Sequence, residues 1–256
     1  MIARELRLVR VAIQFLTRLP MGIIAGFELH DIERAAKYFP LAGMLVGVIA
    51  AAVLLAATAF LPQPVPVVLA LVAAIAITGG LHEDGLADSA DGLLGGSTPK
   101  RRLEIMKDSR IGAFGVLALM SVLALKAAAL VAVDPISAAC MLAAAHASAR
   151  LAPVLAMWAL PYVRDAASAK VGPLTTGVTG GEALMALAFA TIAGLMVVQP
   201  VTFAIGLTAG LAAAALIALA ARRRIGGYTG DVLGAIEQVS EAAFMIAAAA
   251  VIAGPG

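Results

Sequence analysis

LAGMLVGVIAAAVLLAATAFL, residues 41–61, carries no charged side chain. A helix needs about 20 predominantly apolar residues to cross a bilayer, so this stretch is long enough to span one. Six further apolar stretches lie around it, at 64–81, 113–133, 137–160, 183–199, 200–221 and, shorter, 242–254. Turns bearing proline separate three pairs of them: Leu61-Pro62-Gln63-Pro64, Asp134-Pro135 and Gln199-Pro200. Of the 256 residues, 62% are hydrophobic and 13% charged, with a mean hydropathy of +1.00. Soluble domains are about 45–50% apolar. The sequence therefore predicts an all-α, polytopic transmembrane helix bundle of about seven spans, forming a single integral membrane domain over residues 1–256. The second and fifth stretches are short and the last is shorter, so counts of six and eight stay open. No internal repeat and no separate soluble domain is visible.

The placement of Lys and Arg predicts the orientation. With the N-terminus in the cytoplasm and seven crossings, segments 1–40, 82–112, 161–182 and 222–241 lie inside and collect nearly every basic residue. Only Lys126 and Arg150 remain, both within spans, and the outer turns hold no Lys or Arg. Asp134 is the one acid outside. Chemistry is thus expected in cytoplasmic loops. The formal net charge of +2 argues against a nucleic-acid partner.

Residues 1–20 interleave Arg4, Arg7, Arg10 and Arg18 with apolar residues, unlike a cleavable signal. Leu6, Val9, Ile13 and Leu16 are expected on one face of an amphipathic helix lying at the interface. Cys140 is the single cysteine and falls within a span, which excludes an internal disulfide and argues against a thiol catalyst. Trp158 and Tyr162 fit an interfacial aromatic belt, and Arg222-Arg223-Arg224 a topology anchor.

The segment Leu81-His82-Glu83-Asp84-Gly85-Leu86-Ala87-Asp88-Ser89-Ala90-Asp91-Gly92 stands out in so apolar a chain. Asp84, Asp88 and Asp91 occupy i, i+4 and i+7, one face of a helix. Carboxylates at that spacing repel one another, and a hard divalent cation such as Mg²⁺ would relieve the repulsion. Segment 82–112 also holds Glu83, Glu104, Asp108, Lys100, Arg101, Arg102, Lys107 and Arg110. Carboxylates, Mg²⁺ and nearby bases suit a diphosphate substrate. An ordinary loop would pair these acids and bases with each other. Three acids within eight residues beside a membrane boundary weigh against that alternative.

Arg150 lies about 10 residues, roughly 15 Å of helix, from the cytoplasmic end of its span. It should face the bundle interior or a wet cavity, with His146 one turn earlier on the same face. A phosphate or carboxylate of the substrate and a neighbouring acid of the chain are equally suitable partners for it. Lys126 is a weaker signal of the same kind. The last loop, Gly226-Gly227-Tyr228-Thr229-Gly230-Asp231-Val232-Leu233-Gly234-Ala235, suits phosphate or metal contact; Glu237 and Glu241 follow at i, i+4. Loop Lys170–Gly177 offers further donors.

Several of these motifs together resemble a known family. They are Phe39-Pro40-Leu41-x-Gly43, the Leu81–Gly92 block, Arg102-x-Glu104-Ile105-Met106-Lys107-Asp108-Ser109-Arg110-x-Gly112 and Gly227-Tyr228-Thr229-Gly230-Asp231-x-Leu233-Gly234-Ala235. In order over nearly the whole chain, they resemble the cobalamin synthase family, adenosylcobinamide-GDP ribazoletransferase. The resemblance implies a Mg²⁺-dependent inner-membrane enzyme. It would join adenosylcobinamide-GDP to α-ribazole, or its 5′-phosphate, giving adenosylcobalamin, or its 5′-phosphate, and GMP. Asp84, Asp88 and Asp91, with Glu83, are the expected metal ligands. Arg102, Lys107, Arg110, Arg150 and His82 are the expected substrate and phosphate contacts. Asp108 and Asp231, unranked, are the candidate general bases. Other enzymes of cobalamin assembly are compatible partners beside the lipid bilayer.

Two rival readings differ in kind. Asp88-Ser89-Ala90-Asp91-Gly92 also looks like part of the signature of CDP-alcohol phosphotransferases, but Leu93-Leu94-Gly95-Gly96 departs from the rest of that pattern. A transporter would use Lys126, His146 and Arg150 as a path, yet the acids cluster in loops and no half repeats the other.

Overall fold

The computed structural model describes residues 2–24, 26, 28, 30–163 and 177–254. The described residues form helices; they contain no β-strand, only an isolated bridge between Tyr162 and Tyr228. In order these are α1 (Ile2–Leu16), α2 (His30–Ala35), a 3-10 turn (Ala36–Tyr38), α3 (Phe39–Thr58), α4 (Val65–Thr78), α5 (Leu81–Gly95), α6 (Pro99–Met106) and α7 (Ala113–Val131). They continue as α8 (Pro135–Ala149), α9 (Leu151–Ala159), α10 (Gly180–Leu195), α11 (Pro200–Ile225) and α12 (Gly230–Ala253).

Each expected apolar stretch is a helix, but not every one is a full span. Among the described residues five helical runs are long and apolar enough to cross a membrane, 30–58, 113–131, 135–159, 200–225 and 230–253, and the bent pair 65–78 and 81–95 taken together would make a sixth. The expected spans at 64–81 and 183–199 are α4, with 14 residues, and α10, with 16. Both fall short of the roughly 20 residues a span needs. α4 is cut short at Gly79-Gly80, whose φ angles of 68° and 71° lie in the left-handed region that glycine enters without strain. There the chain turns through 89° into α5. We read α4 as the apolar arm of this pair and polar α5 as lying outside the spanning helices.

Proline and aspartate make the other breaks. Asp134 caps α8, accepting from the N–H groups of Ile136 and Ser137 at 3.0 Å, with Pro135 in the first turn. α8 and α9 together form the central helix. Alanines let neighbours pack against it closely: on α3, a Cβ at Gly47 would come within 2.7 Å of the Ala143 Cα. Gly43 and Gly47 repeat the small-xxx-small spacing that brings membrane helices into backbone contact.

Two expected loops are corrected. Residues 222–241 are not a loop: α11 runs to Ile225, and α12 begins at Gly230, so the last helix takes in Glu237 and Glu241. Segment 82–112 is mostly helical, as α5 and α6. The N-terminal helix is present, but the face it turns to the bundle is Leu8, Val11, Ala12 and Leu16; Leu6, expected there, is exposed. Ion pairs Arg7–Asp31 at 2.7 Å and Lys37–Glu5 at 2.6 Å fasten α1 to the α2–α3 run.

Candidate active site

α5 displays Asp84, Asp88 and Asp91 at one-face spacing, yet their surroundings differ. Asp84 is exposed, Asp88 half-buried and Asp91 buried. Asp91 accepts hydrogen bonds from the N–H of Gly112 at 2.7 Å and of Gly115 at 2.9 Å. These are the otherwise unpaired donors at the start of α7, where negative charge is stabilised. Both oxygens of this expected metal ligand therefore already fasten α5 to α7.

The neighbour that joins Asp84 and Asp88 comes from the far end of the chain. α5 and α12 meet at glycines: a Cβ on Gly85 would lie 2.8 Å from the Asp231 carbonyl oxygen and 3.1 Å from the Gly234 Cα. With no side chain between them the helices touch backbone to backbone, which sets Asp231, in the first turn of α12, beside the α5 acids. Burial, then the charges of Asp84, Asp231 and Asp91, push the Asp88 carboxyl up to about 6. Among the described residues neither Asp84 nor Asp88 has a side-chain hydrogen-bond or ion-pair partner. Carboxylates crowded in this way are a donor set that suits a hard divalent ion.

The candidate bases separate. Asp108 is held by Arg110, with contacts of 2.9 and 2.6 Å to the guanidinium and 3.1 Å to the backbone N–H. Those bonds bring its carboxyl down to about 2. Asp108 does not figure among the groups acting on Asp88, whereas Asp231 does. Lys107 is near enough to Asp231 to interact electrostatically. Arg102 donates to the Arg224 carbonyl at 3.2 Å, joining α6 to the end of α11.

Glu83 turns away from the acidic face and accepts from Gln238 Nε2 at 2.9 Å. Gln238 opens onto a buried network inside the bundle. Lys126 contacts Gln238 at 2.7 Å and Glu241 at 2.8 Å. Arg150 contacts Glu237 at 2.6 Å and Glu241 at 2.8 Å, and His146 Nδ1 lies 2.8 Å from Glu241. Arg150 thus has acids of the chain as its partners, one of the two kinds the sequence left open. His146, Glu237 and Glu241 are the only described group of three whose ligand atoms converge within 4.8 Å. Lys126 and Arg150 already balance that group, so the positions a metal would take are filled by side-chain cations. Asp84, Asp88 and Asp91 do not converge so closely.

Arg150 also borders a cavity of about 180 Å³, with His82, Asp84 and Asp231 on its polar side and Phe15, Phe39 and Pro153 on its apolar side. Of the expected site residues the structure therefore gathers His82, Asp84, Asp88, Arg150 and Asp231. It leaves Asp108 with Arg110, and Glu83 with Gln238. Residues 170–176 of the expected donor loop lie outside the described residues. The sequence reading missed Gln238 and the assembly of the interior network. Lys126 and Arg150 within expected spans, and the i, i+4 pair Glu237 and Glu241 in an expected loop, were its only trace.

Residues 8–249 match the family model described as Cobalamin-5-phosphate synthase. The chain is 43% identical over 251 residues to the adenosylcobinamide-GDP ribazoletransferase of Leptothrix cholodnii, covering 93% of each protein. It is 39% identical over 241 residues to the protein of that name from Shewanella sp. strain ANA-3, covering 93% of this chain and 92% of that one. With the protein of that name from Shewanella amazonensis it shares 39% identity over 243 residues and 93% of each chain. No solved structure matches.

Proposed function

The chain belongs to the cobalamin-5-phosphate synthase family, and from that membership we propose that it is a multi-pass membrane transferase joining adenosylcobinamide-GDP to α-ribazole, or its 5′-phosphate, with release of GMP. The observation that carries the reading is the glycine contact between α5 and α12, which sets Asp231 beside Asp84 and Asp88.

In this reading Asp84 and Asp88 would hold Mg²⁺, which when bound would offset charge on the phosphate oxygens. Asp231 takes the proton of a ribose hydroxyl of the ribazole other than the 5′, which stays phosphorylated in the 5′-phosphate acceptor, as its oxygen attacks the phosphorus attached to cobinamide. The new phosphorus–oxygen bond forms, the bond to the bridging oxygen breaks, and GMP departs with that electron pair. Lys107, Arg102 and Arg110, from α6 and the segment after it, supply positive charge to the diphosphate. Arg150 and His82 border the neighbouring cavity. The positive-inside pattern supports an inner-membrane location with the N-terminus and this site on the cytoplasmic side.

The test uses protein in liposomes given adenosylcobinamide-GDP, α-ribazole and Mg²⁺, with GMP and cobalamin followed by chromatography. Product should form and should vanish with EDTA and in folded Asp88→Asn. Full activity in Asp88→Asn would overturn the assignment of the site.

A further inference from the structure

We propose that the cavity between α1, α3, α5, α9 and α12 receives the uncharged heteroaromatic base of the acceptor nucleoside. This rests on the transfer reaction proposed above and adds which half of which substrate sits there.

Size is the first ground. About 180 Å³ is below the roughly 300–1,000 Å³ of pockets that take a whole drug-sized ligand. The cavity fits one ring system, not a nucleotide. Its apolar wall is aromatic: Phe15 of α1 and Phe39 of α3 stack with centroids 5.8 Å apart and planes at 20°. Phe39 is buried, while Phe15 is 44% exposed and so free to contact a ligand. Flat rings gain from such a surface whatever their edge pattern.

Charge is the second ground. Among the described residues Arg150 is the only cation on the cavity wall, and Glu237 and Glu241 already neutralise it at 2.6 and 2.8 Å. Asp84 and Asp231 add negative charge at the rim. A phosphate placed inside would meet no uncompensated side-chain cation among the described residues. A neutral ring needs none.

Two orphaned polar atoms are the third ground. His82 is 5% exposed and Arg150 2%, yet Nδ1 of His82 and Nε of Arg150 have no partner. Buried polar atoms left unpaired are uncommon and ask for a missing partner. The benzimidazole of α-ribazole presents a single ring-nitrogen acceptor, which matches so sparse a polar lining. Guanine, the other heteroaromatic base in the reaction, presents donors and acceptors along its whole edge and would leave most of them unmet. A base in the cavity also delivers its ribose to the rim, beside Asp84 and Asp231, where the attacking hydroxyl is needed.

The experiment compares wild type with Phe15→Ala and Phe15→Leu in liposomes, measuring KM separately for α-ribazole and adenosylcobinamide-GDP. Equilibrium dialysis of α-ribazole against the same proteins needs no turnover. Loss of stacking on one ring should raise KM and Kd for α-ribazole about tenfold in Phe15→Ala. Phe15→Leu should lie between, and KM for adenosylcobinamide-GDP should stay within about twofold. A rise confined to adenosylcobinamide-GDP would give the cavity to the guanine and overturn the proposal. Unchanged constants for both substrates would overturn it as well. Wild type that binds α-ribazole through Phe15 but forms no product would overturn the transfer reaction and leave the base site standing.

Discussion

At the scale of single residues, Asp88 carries the most consequence. Its carboxyl, ordinarily at 3.8, lies at about 6 in the folded protein because burial and three acids oppose its charge. The folded state therefore holds a proton that the unfolded chain has released between those values. Stability from this group is present below pH 4 and lost as pH rises through 6. Asp88→Asn, lacking the charge, should be more stable than wild type at pH 7.5 in EDTA, by about 1 kcal/mol after allowance for solvent screening. Scanning calorimetry checks this; a lower Tm would refute the crowding of acids. The same group should impose an activity limb near pH 6, with rate falling as Asp88 protonates, and added Mg²⁺ should move that limb lower. Asp231 and Asp108 differ in the opposite way to their symmetry in sequence. Asp231→Asn should lose about 10²–10⁴ in kcat, the scale of a general base. Asp108→Asn, which breaks only an exposed pair with Arg110, should lose far less. The acids themselves were legible from spacing in a chain that is only 13% charged. Their partners were not: Asp91 is satisfied by backbone N–H groups 21 and 24 residues away, and side-chain identity says nothing of those.

At the scale of elements, apolar length located the helices but misjudged where polarity ends them. Residues 230–241 read as a loop because glycine, threonine and acids interrupt the apolar pattern. Thr229 instead caps α12, accepting from the Val232 N–H at 3.3 Å, and the acids continue inward because cations on other helices meet them. Tertiary pairing overrode local composition. Glycine here serves to let helices touch. Gly85 and Gly234 hold α5 and α12 at backbone contact, so a side chain there must push the pair apart. Gly234→Val should cost about 1–3 kcal/mol of stability. It should also cut transfer activity well beyond the fraction of protein lost, since Asp231 would move from Asp84 and Asp88. Activity normalised to folded protein, measured beside Tm, separates the two effects. Normalised activity at the wild-type level would break the link between helix contact and site.

At the scale of the whole molecule, the division between apolar helices and charged connections fixed the architecture, because a bilayer tolerates no other placement. What that division could not supply is which intramembrane charges meet. Lys126 on α7, Arg150 after α8, and Glu237 and Glu241 on α12 lie up to 115 residues apart, and each alone reads as an anomaly. Together they carry two positive and two negative charges, buried and mutually paired. The network joins three helices at the bundle's centre and, through Gln238 and Glu83, reaches the helix that carries the site acids. Its stability should follow charge balance and not the count of contacts. Glu241→Gln leaves two cations against one carboxylate and should destabilise by about 3–5 kcal/mol, the cost of an uncompensated buried charge. Lys126→Met leaves two carboxylates against one cation and should cost a similar amount. The double variant keeps Arg150 with Glu237, restores neutrality, and should therefore be less destabilised than the sum of the two, by a coupling of 2 kcal/mol or more (order of magnitude from buried pairs). Tm of the four proteins in one detergent measures that coupling. Additive losses would mean that water or the bilayer, and not the opposing side chains, compensates these charges, and the network would lose its place as the brace beneath the site.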